Sequence, residues 1–553
     1  MNLGKHVIYQ AYPRSYKDST GNGFGDLRGI LEKVDYLKEL GVDMLWLNPF
    51  FVSPQNDNGY DIADYYHVDP RFGTDEDLDD LFEAFDKKGI KLMFDMVLNH
   101  TSTEHEWFKK AIAGDSKYQD YYYIREGKDG SYPTNWQSKF GGPAWNEFGN
   151  TGKYYLCLYD KTQADLNWHN KDLREELYKI VNYWMDKGIG GFRFDVLNVI
   201  GKSCDFIDSS GDESEEKKLY TDTPIVHEWI RELNKNSFGK DKEIITVGEM
   251  SSTNIENSIL YSSAQGDELS MIFSFHHLKV DYENGDKWTD MAFDFNKLKK
   301  ILNEWQVGLQ EGGGWNALFW NNHDQPRANN RFGDVVNFPY QTATMLAQTI
   351  HMMRGTPYIY QGEEIGMTDP NFTSIDQYRD IESINAYKKL IANGKSESEA
   401  FNIIKKKSRD NSRTPMQWDN TANAGFTRGT PWIEVNENYK NINAKKAQED
   451  KNSIFYYYKK LIELRKDELI ISDGLYFPIL EKDPNILAYI REYEGDVLIN
   501  MNNFQGEEVT VDLEKILDNY DKFEYLLGNY GERKVDKKIR LRPYESLAFI
   551  KRS

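Results

Sequence analysis

Gly191-Phe192-Arg193-Phe194-Asp195 is a short apolar run that ends on a carboxylate. Such a run reads as a strand buried on both faces, and an acid placed where it ends is presented to a cleft instead of being entombed in a core. Working outward, similar runs fall at 7–9, 44–47, 91–97, 191–196, 244–247, 271–275, 317–320 and 357–360. Between several of them lie amphipathic helical patterns at 27–40, 76–88 and 172–187, the last followed by a glycine that suits a helix C-terminus. Eight strands alternating with helices predict a (β/α)8 TIM barrel. Functional groups on that architecture gather at the C-terminal strand ends. Three acids fall there: Asp195 on the fourth run, Glu249 in Thr-Val-Gly-Glu on the fifth, and Asp324 in Asn-Asn-His-Asp on the seventh.

The barrel is expected in two pieces, residues 1–100 and 168–470. Residues 101–167, rich in Tyr, Trp, Gly and Asn, are too long for a simple loop and read as a small domain B inserted after the third strand. The stretch 369–432 is polar and broken by Gly and Pro, so it reads as an elaborated loop over the barrel mouth. From about residue 471 the helical pattern gives way to short alternating runs such as Ile486-Leu487-Ala488-Tyr489-Ile490 and Val497-Leu498-Ile499-Asn500. These predict a C-terminal antiparallel β domain over 471–553.

A chain of 553 residues is too long for one ordinary core and has material for a deep site. Lys and Arg number 68 against 89 Asp and Glu, a net charge of −21 that argues against nucleic acid and anionic membranes as partners. Thirteen Trp and 36 Tyr offer faces on which sugar rings stack, although core packing also consumes aromatics. The opening Met1-Asn2-Leu3-Gly4-Lys5-His6 runs into a strand pattern without a signal peptide, and no run of 18 apolar residues occurs. Cys157 and Cys204 give neither a disulfide framework nor a metal-ligand spacing, so the cytoplasm is the expected compartment. Oligomeric state is left open, a monomer included.

Acids crowded at strand ends suit glycosidic cleavage, which needs one carboxylate kept ionised and one carboxylic acid kept protonated around an oxocarbenium-like transition state. Asp95-Met96-Val97-Leu98-Asn99-His100, Gly191–Asp195, Val247-Gly248-Glu249-Met250 and Asn322-His323-Asp324 resemble, in order, four signature segments of the α-amylase superfamily. The resemblance spans essentially the whole chain. It implies Asp195 as nucleophile, Glu249 as general acid then base of a retaining mechanism, and Asp324 as the third carboxylate. His100 and His323 are implied as donors to glucose hydroxyls. Arg193, two residues before Asp195 on one strand, shares its face and can hold it ionised, while Glu249 is expected to keep its proton through the nearby carboxylates. No cofactor is needed for such chemistry.

Gly59-Tyr60-Asp61 and Ser408-Arg409-Asp410-Asn411-Ser412-Arg413-Thr414-Pro415 resemble the exo-acting α-glucosidase branch, in which the matches of Asp61 and Arg409 close the pocket around one glucose and Tyr60 supplies a stacking face. Val196 resembles members that cleave α-1,6 linkages. The stretch from Phe273 to Trp288 instead resembles members that split a phosphorylated α,α-1,1-linked disaccharide into glucose and glucose 6-phosphate. Its His276, His277, Lys279 and Lys287 would supply local cations for a phosphate against the negative protein, with Arg327 and Arg331 as further candidates. The expected partner is therefore a small phosphorylated disaccharide. The rivals are an isomaltose-type exo-glucosidase and a non-catalytic relative of the transporter heavy-chain kind, which has an anchor and lacks the acids.

Asp18-Ser19-Thr20-Gly21-Asn22-Gly23-Phe24-Gly25-Asp26 resembles the calcium loop of this branch. Asp18, Thr20, Asn22, Phe24 and Asp26 are its candidate ligands to structural calcium or magnesium. Thr20 and Asn22 stand where charge or a better donor is usual, and the alternative is a glycine-rich turn held by Asx hydrogen bonds.

Overall fold

A computed structural model describes residues 2–553; Met1, the first residue of the expected segment 1–100, lies outside the described residues. The expected runs form strands β1 Ile8–Ala11, β2 Met44–Leu47, β3 Lys91–Val97, β4 Gly191–Asp195, β5 Ile245–Glu249, β6 Met271–Phe273, β7 Ala317–Leu318 and β8 Thr356–Tyr360. Their order in the sheet is β6-β5-β4-β3-β2-β1-β8-β7, the cyclic sequence of a (β/α)8 barrel. β6 and β7 end two residues short of their runs, and Phe275 already leads into a 3-10 turn, His276–Leu278. The chain divides into two compact units, residues 46–274 with 312–315, and residues 2–45 and 275–311 with 316–553. Among the described residues no helix is long and apolar enough to cross a membrane.

In the first unit β3 and β4 are parallel with Arg193 opposite Asp95 and Asp195 opposite Val97, and β5 lies on the other side of β4. Every residue of β4 is buried, as is every residue of β3 except Lys91, which is why neither run alternates. The helix Lys171–Asp186 leads into β4; Asn170 caps it by accepting from the Leu173 amide, and Gly188 at φ +92° turns the chain. Residues 101–167 carry a helix, Glu106–Ile112, and a three-stranded antiparallel sheet of Ile124–Glu126, Lys153–Leu156 and Trp145–Glu147. Its core of Tyr123, Trp136, Trp145, Leu156 and Leu158 takes in Val196 and Val199, so the inserted segment packs directly on the turn after Asp195.

In the second unit β8 pairs in parallel with both β1 and β7. The single helix expected over 27–40 is two, Leu27–Leu31 and Val34–Leu40. Lys33 leaves helical geometry at φ −111°, ψ 9°, and its ammonium lies 4.3 Å from the Trp418 ring, a tertiary contact that overrides the local periodicity. The stretch 369–432 is likewise more than a loop. It holds helices Ile381–Ala392 and Glu397–Lys407 around Phe372, Tyr378, Leu390, Ile403 and Ile404, with a capping box at Ser396 and Glu399 and Gly394 turning between them at φ +91°. Toward the C-terminus, strands Leu475–Ile479, Ile486–Tyr493, Asp496–Asn503, Ser546–Lys551 and Glu524–Gly528 form an antiparallel sheet in that order. One face buries Ile486, Ala488, Ile499, Met501, Leu547 and Phe549.

Candidate active site

The last residue of β4 is Asp195, and the chain turns sharply after it because Val196 sits in the left-handed region at φ 38°, ψ 42°. A β-branched residue there is strained, and the aromatic cluster around Val196 holds it in place. Arg193 shares the face of Asp195 and is 1% exposed. One of its terminal nitrogens donates to Asp195 at 2.6 Å and to Asp95 at 2.7 Å, and the other donates to Glu249, at the end of β5. One guanidinium thus serves three carboxyl groups. Asp95 also accepts from the Tyr60 hydroxyl at 2.9 Å and Trp46 Nε1 at 3.3 Å, and Tyr60 accepts from Asn48 at 2.8 Å.

Arg193 reaches beyond the one carboxylate expected of it. Arg193 touches Glu249 as well as Asp195, so in this arrangement it favours the ionised form of both. The carboxyl pushed up is Asp95, to about 7, by burial and by Asp195, with Arg193 opposing. Asp95 was not among the sequence-derived site residues; its signal was a lone acid in the middle of an otherwise apolar strand.

His100 is buried, with Nδ1 3.0 Å from Asn99 Nδ2 and Nε2 3.2 Å from the Tyr60 carbonyl. Burial, helped by Lys202, lowers its basicity to about 3, so it is neutral at physiological pH. Asp61 accepts from Ser53 Oγ at 2.9 Å and from the amides of Asn56 and Asp57 at 2.8 and 3.2 Å, and burial pushes its carboxyl up against those bonds. Asp61 therefore shapes its own turn, beside Gly59 at φ +101°.

The second unit gathers the other candidates around Asp324. Arg413 donates to Asp324 Oδ1 at 2.7 Å and Arg409 at 3.2 Å, while His323 Nε2 lies 3.1 Å from Oδ2. Burial would raise this carboxyl, but His323, Arg409 and Arg413 outweigh it and hold it well below the usual range. His323 is set by Gln10 at 3.0 Å and lies flat on Tyr12, ring centres 6.1 Å apart. Arg409 is oriented by Asp380 at 2.7 Å and Glu382 at 3.3 Å. Asp380 and Glu382 escaped the sequence reading, and Arg413 stood in a quoted motif without a role, because each pairs with a partner distant in the chain.

Two of the four expected cations are corrected. His277 is buried with Nε2 2.9 Å from the Phe319 carbonyl, and His276 lies against the Trp305 ring at 5.1 Å. Burial lowers each to about 4, so neither carries charge near neutral pH. Lys287 keeps its charge, since Glu382 at 2.8 Å outweighs burial. Lys279 follows the 3-10 turn and is half-buried. Arg327 is spent on the carbonyls of Gln361 and Ser412, and Arg331 on Asp281 and the Leu278 carbonyl, which pins the turn bearing Lys279.

In the loop of Asp18, Thr20, Asn22, Phe24 and Asp26, Asp18 accepts from the amides of Thr20, Gly21 and Gly23 at 2.9, 2.7 and 2.8 Å and from the hydroxyls of Thr20 and Thr427. Asp26 accepts from the Ser19 and Gly29 amides, and Asn22 from that of Phe24. N–H and O–H donors converging on Asp18 meet its charge as a turn does, and this donor set fits the turn better than a divalent cation.

The alpha-amylase catalytic domain model matches residues 10–474. The chain belongs to the alpha-amylase family of glycoside hydrolases. A second model, the alpha-amylase SusG C-terminal domain, matches residues 486–547. The chain is 51% identical over 548 residues to the trehalose-6-phosphate hydrolase of Bacillus subtilis, covering 99% of this chain and 97% of that one. It is 47% identical over 549 residues to an oligo-1,6-glucosidase of Bacillus cereus, covering 98% of each. The crystal structure of Bacillus licheniformis trehalose-6-phosphate hydrolase superimposes with a TM-score of 0.95 at 51% identity, over 99% of both chains. The two relatives bear the names of different activities, so similarity of sequence and fold leaves linkage and substrate to the site.

Proposed function

We propose that this alpha-amylase family enzyme hydrolyses trehalose 6-phosphate to glucose and glucose 6-phosphate with retention of configuration. Full-length identity of 51% to a trehalose-6-phosphate hydrolase is the observation that carries the substrate. Asp195, at the end of β4, attacks the anomeric carbon, and Arg193 holds it ionised for that attack. Glu249 protonates the bridging oxygen and then takes a proton from water. One guanidinium cannot neutralise three carboxylates, so the cluster of Asp95, Asp195 and Glu249 binds a proton readily near neutral pH, and Glu249 carries it in the substrate complex. Asp324, kept ionised by Arg409 and Arg413, stabilises positive charge developing on the sugar.

In the first unit Tyr60, Asp61 and His100, and in the second His323 and Arg409, are the candidate contacts to the unphosphorylated glucose. Lys279 and Lys287 draw the phosphate of the leaving sugar, with His276 and His277 contributing neutral rings at most. The work is displacement and proton transfer by side chains, without a cofactor, and a compartment that holds phosphorylated sugars, the cytoplasm, suits it. An oligo-1,6-glucosidase reading is favoured by Val196 and by the 47% identical relative. Initial rates on trehalose 6-phosphate and isomaltose at equal concentration separate the two. The phosphorylated sugar is expected to be cleaved at least about tenfold faster, and faster cleavage of isomaltose overturns the assignment.

A further inference from the structure

Lys202 is wholly buried and takes no part in the chemistry above. Two acceptors and a counter-charge stand around its ammonium: Asn99 Oδ1 and the Val199 carbonyl, each at 2.6 Å, and the Asp165 carboxylate, an ion pair at 2.9 Å. Both members of the Lys202–Asp165 pair are 0% exposed. Such pairs cost much of their attraction in desolvation, so general stability is a weak reason for one. Its local effect is specific. With Asn99 Oδ1 committed to a cation, Asn99 Nδ2 is the atom that faces His100 Nδ1 at 3.0 Å. An amide nitrogen donates, so Nδ1 accepts and the ring proton belongs on Nε2, which faces the Tyr60 carbonyl at 3.2 Å.

The same ammonium ties three segments together. Val199 ends the turn that follows Asp195, Asn99 precedes His100, and Asp165 lies opposite His100 where the inserted segment returns. Besides Lys202 and Asp165, the ring is faced by Tyr60, by Tyr159 at 5.5 Å, and by Gln163, whose Nε2 lies 3.1 Å from His100 Nε2 and donates to Asp57 at 3.0 Å. Donation from Gln163 to Nε2 would require the opposite tautomer, with two N–H groups opposed at Asn99.

We propose that Lys202 is a positioning residue which, through Asn99, locks His100 as the neutral Nε2–H tautomer, so that the ring donates to the Tyr60 carbonyl and is held in a fixed orientation for a glucose contact. The last step rests on the reading of His100 as a glucose contact; the lock does not. Long-range proton–nitrogen correlation spectra of histidine-labelled protein test it, with the His100 signal assigned by its loss in His100→Gln. The expected wild-type pattern is Nε2–H, unchanged between pH 8 and 5. An Nδ1–H pattern, or protonation in that range, overturns the proposal.

The double variant Lys202→Met with Asp165→Asn removes the pair without leaving a buried charge. It is expected to lose the single-tautomer pattern, to lose about tenfold in kcat/KM, and to move the acid limb of the activity profile upward. A folded double variant that keeps the pattern overturns the lock. A changed pattern with unchanged kcat/KM leaves the lock standing and removes His100 from the glucose contacts.

Discussion

At the scale of single residues, the site is an economy of few cations and many acids. Arg193 is shared by Asp95, Asp195 and Glu249, whereas Asp324 has two arginines and a histidine. The two environments push in opposite directions, raising Asp95 and depressing Asp324. That difference has a thermodynamic consequence. A carboxyl whose folded-state pKa is depressed contributes stability that is present above its unfolded pKa, about 4, and is lost as pH falls through the folded value. The Tm difference between the wild type and Asp324→Asn should therefore be larger at pH 7 than at pH 3. A difference that stays constant or grows on acidification contradicts the depressed pKa. Asp95, Arg413, Asp380 and Glu382 were not legible as site residues because their meaning is a pairing, such as Arg193 with Asp95 across 98 positions. The neutrality of His276 and His277 was hidden for the same reason: it comes from burial, which the sequence does not print.

At the scale of elements, all eight strands were legible, because a strand buried on both faces leaves a largely apolar run even where a charged site residue such as Asp95 or Arg193 interrupts it. What local pattern could not supply was the break at Lys33, caused by Trp418 in a distant segment, or the helices Ile381–Ala392 and Glu397–Lys407, whose apolar side faces a small core on a mostly polar surface. Under the proposed function, the element on which substrate choice depends is the turn after β6. Arg331 holds the Leu278 carbonyl, which sets the backbone from which Lys279 projects, and Glu382 holds Lys287. Lys279→Ala should lower kcat/KM on trehalose 6-phosphate by about 10- to 100-fold, the worth of a charged hydrogen bond. On a neutral aryl α-glucoside the loss should stay within about threefold. Parallel steady-state kinetics check this, and equal losses on both substrates would remove Lys279 from the phosphate contacts.

At the scale of the whole molecule, the proposed function asks a chain of net charge −21 to attract a doubly charged anion, which requires local recognition while the catalysis is that of the family. The family framework accounts for the barrel and the acids at its strand ends; under the proposed function, the loops and helices added to it are expected to distinguish linkages and phosphorylated from plain sugars. The central claim is that Asp195 becomes covalently bonded to glucose. Brief reaction with a 5-fluoro-α-glucosyl fluoride, followed by peptide mass spectrometry, tests it directly. The account predicts one hexosyl adduct, on the peptide containing Asp195 and absent from Asp195→Asn. An adduct on another residue, or turnover of Asp195→Asn comparable to wild type, would contradict it.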